Sequence, residues 1–423
     1  MRVTFVANAC CIVESKSGTK IVSDPWLNDG VFDGSWCHFH ELKTTWDDLQ
    51  NVDAVYVSHV HPDHFDSRFF RFPKDTPIIV LDHGLNFLHK NLVSLGYTNL
   101  IKIKDKQTLE FKDFRISLFA PFAGNNFFEE NTKIGNLIDS GIVYEADGKK
   151  VFNANDNTPN AAACQMLKQK FDSFDLAMMN YNSAGPYPSC FNNLSDDEKI
   201  LEHHKNLQRN VDYLYENLRI LNPKYFLPFA GAYVLGGRLA HKNKYLGTMT
   251  WDQCVGMLRE KDVIPATEYI VLNEGTSFDL STGLPNKEYQ AINEEDVQRY
   301  IESNLSKLKY PYELDEMPDH CKLMRDIDDA RVAMMARLEK IGLQPNMTVS
   351  LLIGNDEVNI LTPPSATESK GNLSCRMDLR LLRRILDRSS HWNNAEIGCH
   401  IEFNRNPNYY SPDIHTALQF FHL

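Results

Sequence analysis

The sequence predicts an α/β protein in which sheets are covered on the outside by helices, followed by a small α+β C-terminal domain. Three observations lead there. Residues 1–155 consist of short runs rich in β-branched and aromatic residues, separated by turn formers: RVTFVAN, CCIVES, TKIVSD, AVYVSH, TPIIVL, LIKIK, FRISLFA, SGIVYEA and KKVFNAN. Such runs read as strands. From residue 156 strands alternate with helical periods, the pattern of sheets flanked by helices. Beyond residue 293 helices surround a hairpin.

Each element has its own reason. In the first half a helical period is confined to 83–95 (HGLNFLHKNLVSL). A helix over 159–170 follows, then the apolar strand FDLAMMN at 174–180. A long helix near 195–221 opens on Ser195 with acidic residues behind it, the side-chain chemistry of a helix N-terminus. The strand KYFLPFAG and a helix near 250–259 complete a first domain, 1–262. Residues 263–292 are rich in turn residues and read as a connecting segment. The C-terminal domain, 293–423, reads as helix 293–308, a charged helix 315–341, the hairpin VSLLIGNDEVNIL with Gly354 and Asn355 at its turn, helix 378–388, the strand IGCHIEF and a closing helix. Its apolar content predicts that it docks on the first domain and closes its pocket, because a free tail would leave apolar surface in water.

Composition excludes some functions. Of 423 residues 43% are hydrophobic, ordinary for a globular chain, and 44 Lys and Arg against 56 Asp and Glu give a formal charge of −12 with no basic run. That balance argues against nucleic acid or an anionic membrane as the main partner. The first residues lack the charged head and apolar stretch of a signal peptide, and nowhere do eighteen apolar residues run together, so a cytoplasmic location is expected. Nine scattered cysteines include no CxxC pair. A Rieske cluster needs CxH and CxxH halves; only Cys37–His40 offers a CxxH and no CxH occurs, so no such cluster is expected in this chain.

The chemistry is concentrated in VYVSHVHPDHFD, residues 55–66. His59, His61, Asp63, His64 and Asp66 stand just past an apolar run. Ligands for a divalent metal must converge within a few ångströms, and a sharp loop at a strand end allows this. His59 and His61 share a face; Pro62 breaks the extended chain, and Asp63 and His64 turn toward a second position. A histidine-rich polar loop is the plain alternative, but four ligand-type residues spaced HxHxDH favour metal.

This motif resembles the signature of the metallo-β-lactamase superfamily, which implies a metallo-β-lactamase αβ/βα sandwich. The resemblance implies His59 and His61 at one metal, Asp63 and His64 at the other, and a bridging aspartate at a later strand end, where Asp156 follows KKVFNAN. It also implies a distal histidine, for which His241 in GGRLAHKNKYLG is the candidate. Asp63 and Asp156 are the expected catalytic carboxylates. One ligand departs from the pattern: a third histidine is expected within about 120–141, yet none occurs between His89 and His203. Glu129, Glu130, Asn136 and Asp139 are available there, Glu130 and Asp139 being the favoured replacements. A carboxylate in place of an imidazole hardens the site toward iron or manganese over zinc. His38 or His40 folding across, or His203 and His204 from the long helix, are further alternatives.

The resemblance continues into one branch, the hydroxylases of CMP-N-acetylneuraminate, through SDPWLNDGVFDGSWCHFHE (23–41), FNANDNTPN, MMNYNSAGPYPSCF (178–191), YFLPFAGAYV (225–234) and RMDLRLLRRIL…HWNNAEIGCHIEFNRNPNYY. That branch implies iron, one or two ions, dioxygen and a nucleotide-activated sugar acid, with electrons delivered through a Rieske domain. With no such cluster expected here, either a separate electron-donor protein is the partner, or two metals form a self-contained diiron oxygenase, or the fold is used for hydrolysis. The expected activity is a metal-dependent, iron-using oxygenase (a monooxygenase) on a small polar, nucleotide-linked or N-acylated substrate. A two-metal hydrolase of a phosphodiester, amide or ester, with zinc or manganese, is the alternative, and a non-catalytic metal-binding protein the third. Tyr181 and Tyr187, beside the restricted loop NSAGPYPSC, are expected to touch substrate. Arg376, with Arg380, Arg383 and Arg384 on one helical face, would grip a phosphate or carboxylate.

Overall fold

The computed structural model describes all residues except 83, 85–86, 123–137, 366 and 368. Two mixed sheets face each other. The first runs, edge to edge, Leu284–Pro285, Thr276–Asp279, Arg2–Ala7, Cys10–Glu14, Lys20–Ser23, Ala54–Tyr56, Ile78–Leu81 and Leu100–Ile103. The second runs Glu268–Tyr269, Tyr225–Pro228, Leu176–Met179, Lys149–Asn153, Gly141–Ala146, Phe114–Phe119 and Thr108–Phe111.

Alternation along the strands decides what lies between and outside the sheets. Val3, Phe5, Val13, Ile21 and Tyr56 from the first meet Ile116, Ile142, Tyr144, Leu176 and Leu227 from the second in one buried cluster. The opposite face of the second sheet, with Val143, Phe152, Ala177 and Phe226, packs against the helices Ala161–Phe171, Asp196–Leu221 and Trp251–Arg259. The outer face of the first, with Val22, Val55 and Ile78, is covered by the helix Phe87–Ser94 and by Phe65, Phe70 and Phe72. This is an αβ/βα sandwich. No helix among the described residues is long and apolar enough to cross a membrane.

The long helix begins where its sequence signal stands. Ser195 accepts the Glu198 N–H while the Glu198 carboxylate accepts the Ser195 N–H at 2.7 Å, satisfying two otherwise free donors. It ends at Asn222, in the left-handed conformation. Thr250 and Gln253 cap Trp251–Arg259 in the same way.

Two sequence expectations change. Residues 263–292 are more than a connector, because their short strands pair onto both sheets: Glu268–Tyr269 beside Tyr225–Pro228, and Thr276–Asp279 beside Arg2–Ala7. In the C-terminal region the strand expected at IGCHIEF lies at Glu402–Asn406, and a short helix, Trp392–Ile397, precedes it. The local apolar run could not reveal that Cys399 and Ile401 bury, and Ile397 partly buries, through a helix end and a turn.

The C-terminal region forms a four-stranded sheet, Asp356–Leu361, Thr348–Ile353, Asn372–Arg376 and Glu402–Asn406, backed by helices that include His320–Ile341 and Leu379–Leu386. Its core is continuous with the first domain: Trp26, Phe32, Trp36, Phe191 and Tyr233 cluster with Ile327, Leu351, Leu382, Trp392 and Phe403. His400 lies within this contact; its Nε2 donates to the Phe32 carbonyl at 2.9 Å and its Nδ1 accepts from the Tyr312 hydroxyl at 3.0 Å. Burial holds the imidazole down to about 3. An unfolded histidine titrates near about 6.5, so the unfolded chain binds the extra proton first and stability is lost as pH falls below about 6.5 toward the folded value. Between pH 7.5 and pH 5 this one group should cost about 2 kcal/mol. Urea midpoints at the two pH values should therefore converge in His400→Gln relative to the parent. Equal pH dependence in both proteins would refute the assignment.

Candidate metal centre

Parallel pairing carries the chemistry to one edge. Lys20–Ser23 pairs in parallel with Ala54–Tyr56, so Asp24 and the loop from Ser58 to Asp66 leave the first sheet side by side. In the second sheet Lys149–Asn153, Leu176–Met179 and Tyr225–Pro228 are also parallel, and Asp156, Asn180 and Gly231 follow their C-terminal ends. Strand ends are where open α/β sheets place ligands, because the diverging loops leave a crevice.

Two groups of ligand-type atoms form there, each within 4.8 Å: His59, His61 and Asp139, and His59, His64 and Asp156. His59 Nε2 lies 2.9 Å from His61 Nδ1, 3.6 Å from Asp139 Oδ1 and 4.0 Å from Asp156 Oδ2. His64 Nε2 is 3.4 Å from both Asp63 Oδ2 and Asp156 Oδ2 and is buried without a hydrogen-bond partner among the described residues. Four ligands at about 2.1 Å around one ion stand roughly 3.4 Å apart. The carboxylate–imidazole spacings of 3.4–4.0 Å fit ligands around an ion, while His59 Nε2 and His61 Nδ1 stand at hydrogen-bond distance.

The outer nitrogens are held so that the inner lone pairs converge. His59 Nδ1 faces the Ser58 hydroxyl at 2.9 Å. His64 Nδ1 lies 3.1 Å from Asp24 Oδ2, and Asp24 is itself fixed by the Ser58 N–H at 2.7 Å. His61 Nε2 meets Asn393 Oδ1 at 2.9 Å, so a side chain of the C-terminal region supports this imidazole. The Asp24 carboxylate behind His64 and the Asn393 amide oxygen behind His61 assign the proton to the outer nitrogen, the Ser58 hydroxyl can accept it behind His59, and the inner nitrogens are left free to donate to metal. Asp63 is placed by Asn8, whose Nδ2 donates to Asp63 Oδ2 at 3.2 Å while its Oδ1 accepts the Gly231 N–H at 2.6 Å. Gly231 has φ +88°, and a Cβ there would stand 2.9 Å from Asn182 Cβ. Only glycine lets this loop approach.

Electrostatics follow from burial and charge. Burial, with His64 and His61 nearby, pushes His59 well down. Burial also disfavours the His64 cation, but Asp63, Asp156 and Asp24 outweigh it and raise that ring well above the ordinary value. Burial pushes Asp156 up, and the His64 charge reverses this to a net lowering. Several carboxylates around one imidazole make a pocket that favours a cation.

Other expected residues fall elsewhere. His241 is exposed on the turn Gly237–Tyr245, whose inward positions are Leu239, Lys242 and Tyr245, and its Nδ1 meets the Arg238 carbonyl at 2.9 Å. The geometry does not bring it to the centre. Glu129, Glu130 and Asn136 lie outside the described residues. His38 is taken by Asp29 at 2.8 Å, His40 is exposed, and His203 faces the Leu246 carbonyl with His204 beside it. Arg376 is exposed at the end of a strand because the helix starts only at Leu379, which breaks the expected common face. Arg380, Arg383 and Arg384 pair with Asp378, Asp326 and Asp315. Tyr187 donates to Glu202 at 2.9 Å and carries Arg405 over its ring. Trp26 and Trp36 are core, Trp36 stacking on Tyr233.

Tyr181 is different. It is buried, its hydroxyl has no hydrogen-bond partner among the described residues, and it lines a cavity of about 490 Å³ with Phe39, Asn182, Gly231, Tyr233 and Trp251. Gly231 lines this cavity and also follows the strand end nearest the ligand loop, packing against Asn182 and Asn180. Sequence reasoning missed Asn8, Asp24, Ser58, Asn180 and Asn393. Asp24, Ser58 and Asn180 had a signal, their places at the ends of the runs TKIVSD, AVYVSH and FDLAMMN.

Comparison with known proteins agrees with this geometry. The sequence model of the beta-lactamase superfamily domain matches residues 19–212. A putative Rieske 2Fe-2S iron-sulfur protein of Mycolicibacterium smegmatis is 31% identical over 241 residues, covering 55% of this chain and 43% of that one. The cytidine monophosphate-N-acetylneuraminic acid hydroxylase of Xenopus laevis is 25% identical over 256 residues, covering 55% of this chain and 38% of the relative. The chain thus spans less than half the length of either relative it matches. Among solved structures, an isothiocyanate hydrolase from Delia radicum gut bacteria superposes with a TM-score of 0.45 at 19% identity, covering 66% of this chain and 98% of that one. Hydroxylases and hydrolases both occur among these proteins. Residues 19–212 thus match the beta-lactamase superfamily domain, within a metallo-β-lactamase-type αβ/βα fold that carries an additional C-terminal domain.

Proposed function

We propose that the chain is an iron-dependent oxygenase acting on a small polar substrate, nucleotide-linked or N-acylated. The observation that carries this reading is Asp139, whose carboxylate stands with His59 and His61 where a third imidazole would complete a zinc-like set. Two imidazoles and a carboxylate are a harder donor set, suited to iron. His59, His61 and Asp139 would hold one ion, and Asp63, His64 and Asp156 the other, with Asp156 reaching toward both. When bound, iron supplies the redox chemistry that couples dioxygen to substrate oxidation.

The chain's own groups do the rest. Ser58, Asp24 and Asn393 keep each outer imidazole nitrogen protonated. Tyr181, held as a neutral phenol by burial, offers one hydrogen bond to a substrate entering the cavity. Trp251 and Phe39 supply apolar walls. The hydroxylase relative supports the oxygenase reading over the hydrolase one.

A two-metal hydrolase of a phosphodiester, amide or ester is the second reading, favoured by Asp156 lying within reach of both groups, and would draw its product oxygen from water. Turnover under labelled dioxygen with reductant separates the two. Label in the product is the expected result. Full activity under strict anaerobiosis with zinc bound would overturn the oxygenase assignment.

A further inference from the structure

Apart from the metal centre, the loop 182–190 and the C-terminal region meet over a second reactive group. Cys190 and Cys399 are fully buried, and Lys242 is only 3% exposed. The Lys242 ammonium has three protons and three acceptors: Cys190 Sγ at 3.2 Å, the Cys399 carbonyl at 3.2 Å and the Glu402 carboxylate. Ser189 Oγ lies 3.6 Å from Cys190 Sγ and 3.7 Å from Cys399 Sγ, bridging the two sulfurs. Cys399 is itself held in the left-handed region, φ 60°, where a non-glycine residue is strained.

The charges select one sulfur. Burial pushes the Cys190 thiol up, but the Cys399 hydrogen bond and the Lys242 ammonium outweigh it and bring it to about 7. Cys399, bonded to Cys190 and buried, is pushed well up and keeps its proton. One thiolate beside one protonated thiol meets the ionisation requirement for dithiol oxidation, and because both sulfurs are fully buried the oxidant must be as small as hydrogen peroxide.

We propose that Cys190 and Cys399 form a redox-active dithiol whose oxidant is a hydroperoxide, with Lys242 as the residue that positions and activates Cys190. The Cys190 thiolate attacks one peroxide oxygen, the O–O bond breaks, and the departing hydroxide leaves as water with a proton from Lys242. Cys399 sulfur then displaces hydroxide from the Cys190 sulfenic acid, its own proton completing the second water. Two thiols and one hydrogen peroxide give one disulfide and two water molecules. The bond would tie the loop 182–190 to the turn that follows Asn393, the partner of His61. The proposal does not depend on which metal, if any, is bound.

The test uses the full chain treated with hydrogen peroxide, then unfolded, alkylated and mapped without reduction. A Cys190–Cys399 peptide pair should form, and Cys399→Ser should instead accumulate a sulfenic acid on Cys190 that dimedone traps. Lys242→Met should slow cross-linking roughly tenfold by removing the charge that favours the thiolate. If Lys242→Met does not fold, Glu402→Gln replaces it: Lys242 then has one charged partner fewer, and cross-linking should be as fast or faster. Recovery of both cysteines alkylated while exposed Cys321 is oxidised would overturn the proposal, as would slower cross-linking in Glu402→Gln or an unchanged rate in Lys242→Met.

Discussion

Asp156→Ala should empty the metal centre while leaving the chain folded. Asp156 Oδ2 lies within 4.0 Å of His59 Nε2 and 3.4 Å of His64 Nε2, so its loss removes a donor from both positions at once. Partners behind the ligands are commonly worth roughly 10–100-fold in metal affinity, and a ligand shared by two ions should exceed that range. Asp156 is a partly exposed polar side chain, so the thermal midpoint of the metal-free protein should move little beside the loss of metal. His61→Ala should also lose metal, chiefly from the position shared with Asp139. Metal content after dialysis, read beside circular dichroism, checks both. Full occupancy in both variants would show that these residues are not ligands.

The second large effect concerns metal identity. If Asp139 stands in for a histidine, Asp139→Ala should lower occupancy at the His59 and His61 position, whereas Asp139→His should restore binding and turn the preference from iron toward zinc, because a third imidazole softens the donor set. Competition between the two metals at equal free concentration measures the change. Glu130→Gln is the parallel variant, since Glu130 was the other favoured carboxylate. If Glu130→Gln depletes iron and Asp139→Ala does not, the carboxylate is Glu130; if neither does, that position is completed from outside this segment.

Much of the fold could be read locally because its causes are local. The capping pair Ser195 and Glu198 marked the start of the long helix, and Gly354-Asn355 marked the hairpin turn. The loop HVHPDH gave four ligand-type residues on its own, since their spacing alone brings them together. The strand near Glu402–Asn406 was displaced, because a short apolar run does not distinguish a strand from a buried helix end.

His241 shows the other limit. Its place after KYFLPFAG suited a distal ligand, but direction is set by packing: Leu239 and Tyr245 turn inward, and His241 is carried outward with the opposite face of the turn. The same holds for Arg376, which a strand rather than a helix presents.

The sequence by itself determined the strand-rich first half, the helices and the metal-binding character of residues 59–64, because period, capping and ligand spacing act over a few residues. Tertiary structure alone decided that Asp139 and Asp156 arrive beside that loop, that Asn393 supports His61 from 332 residues away, and that Cys190, Lys242 and Cys399 meet. Those encounters depend on parallel strand pairing and on the shared core of the two regions, and side-chain chemistry at one position carries no information about which distant strand end will close against it.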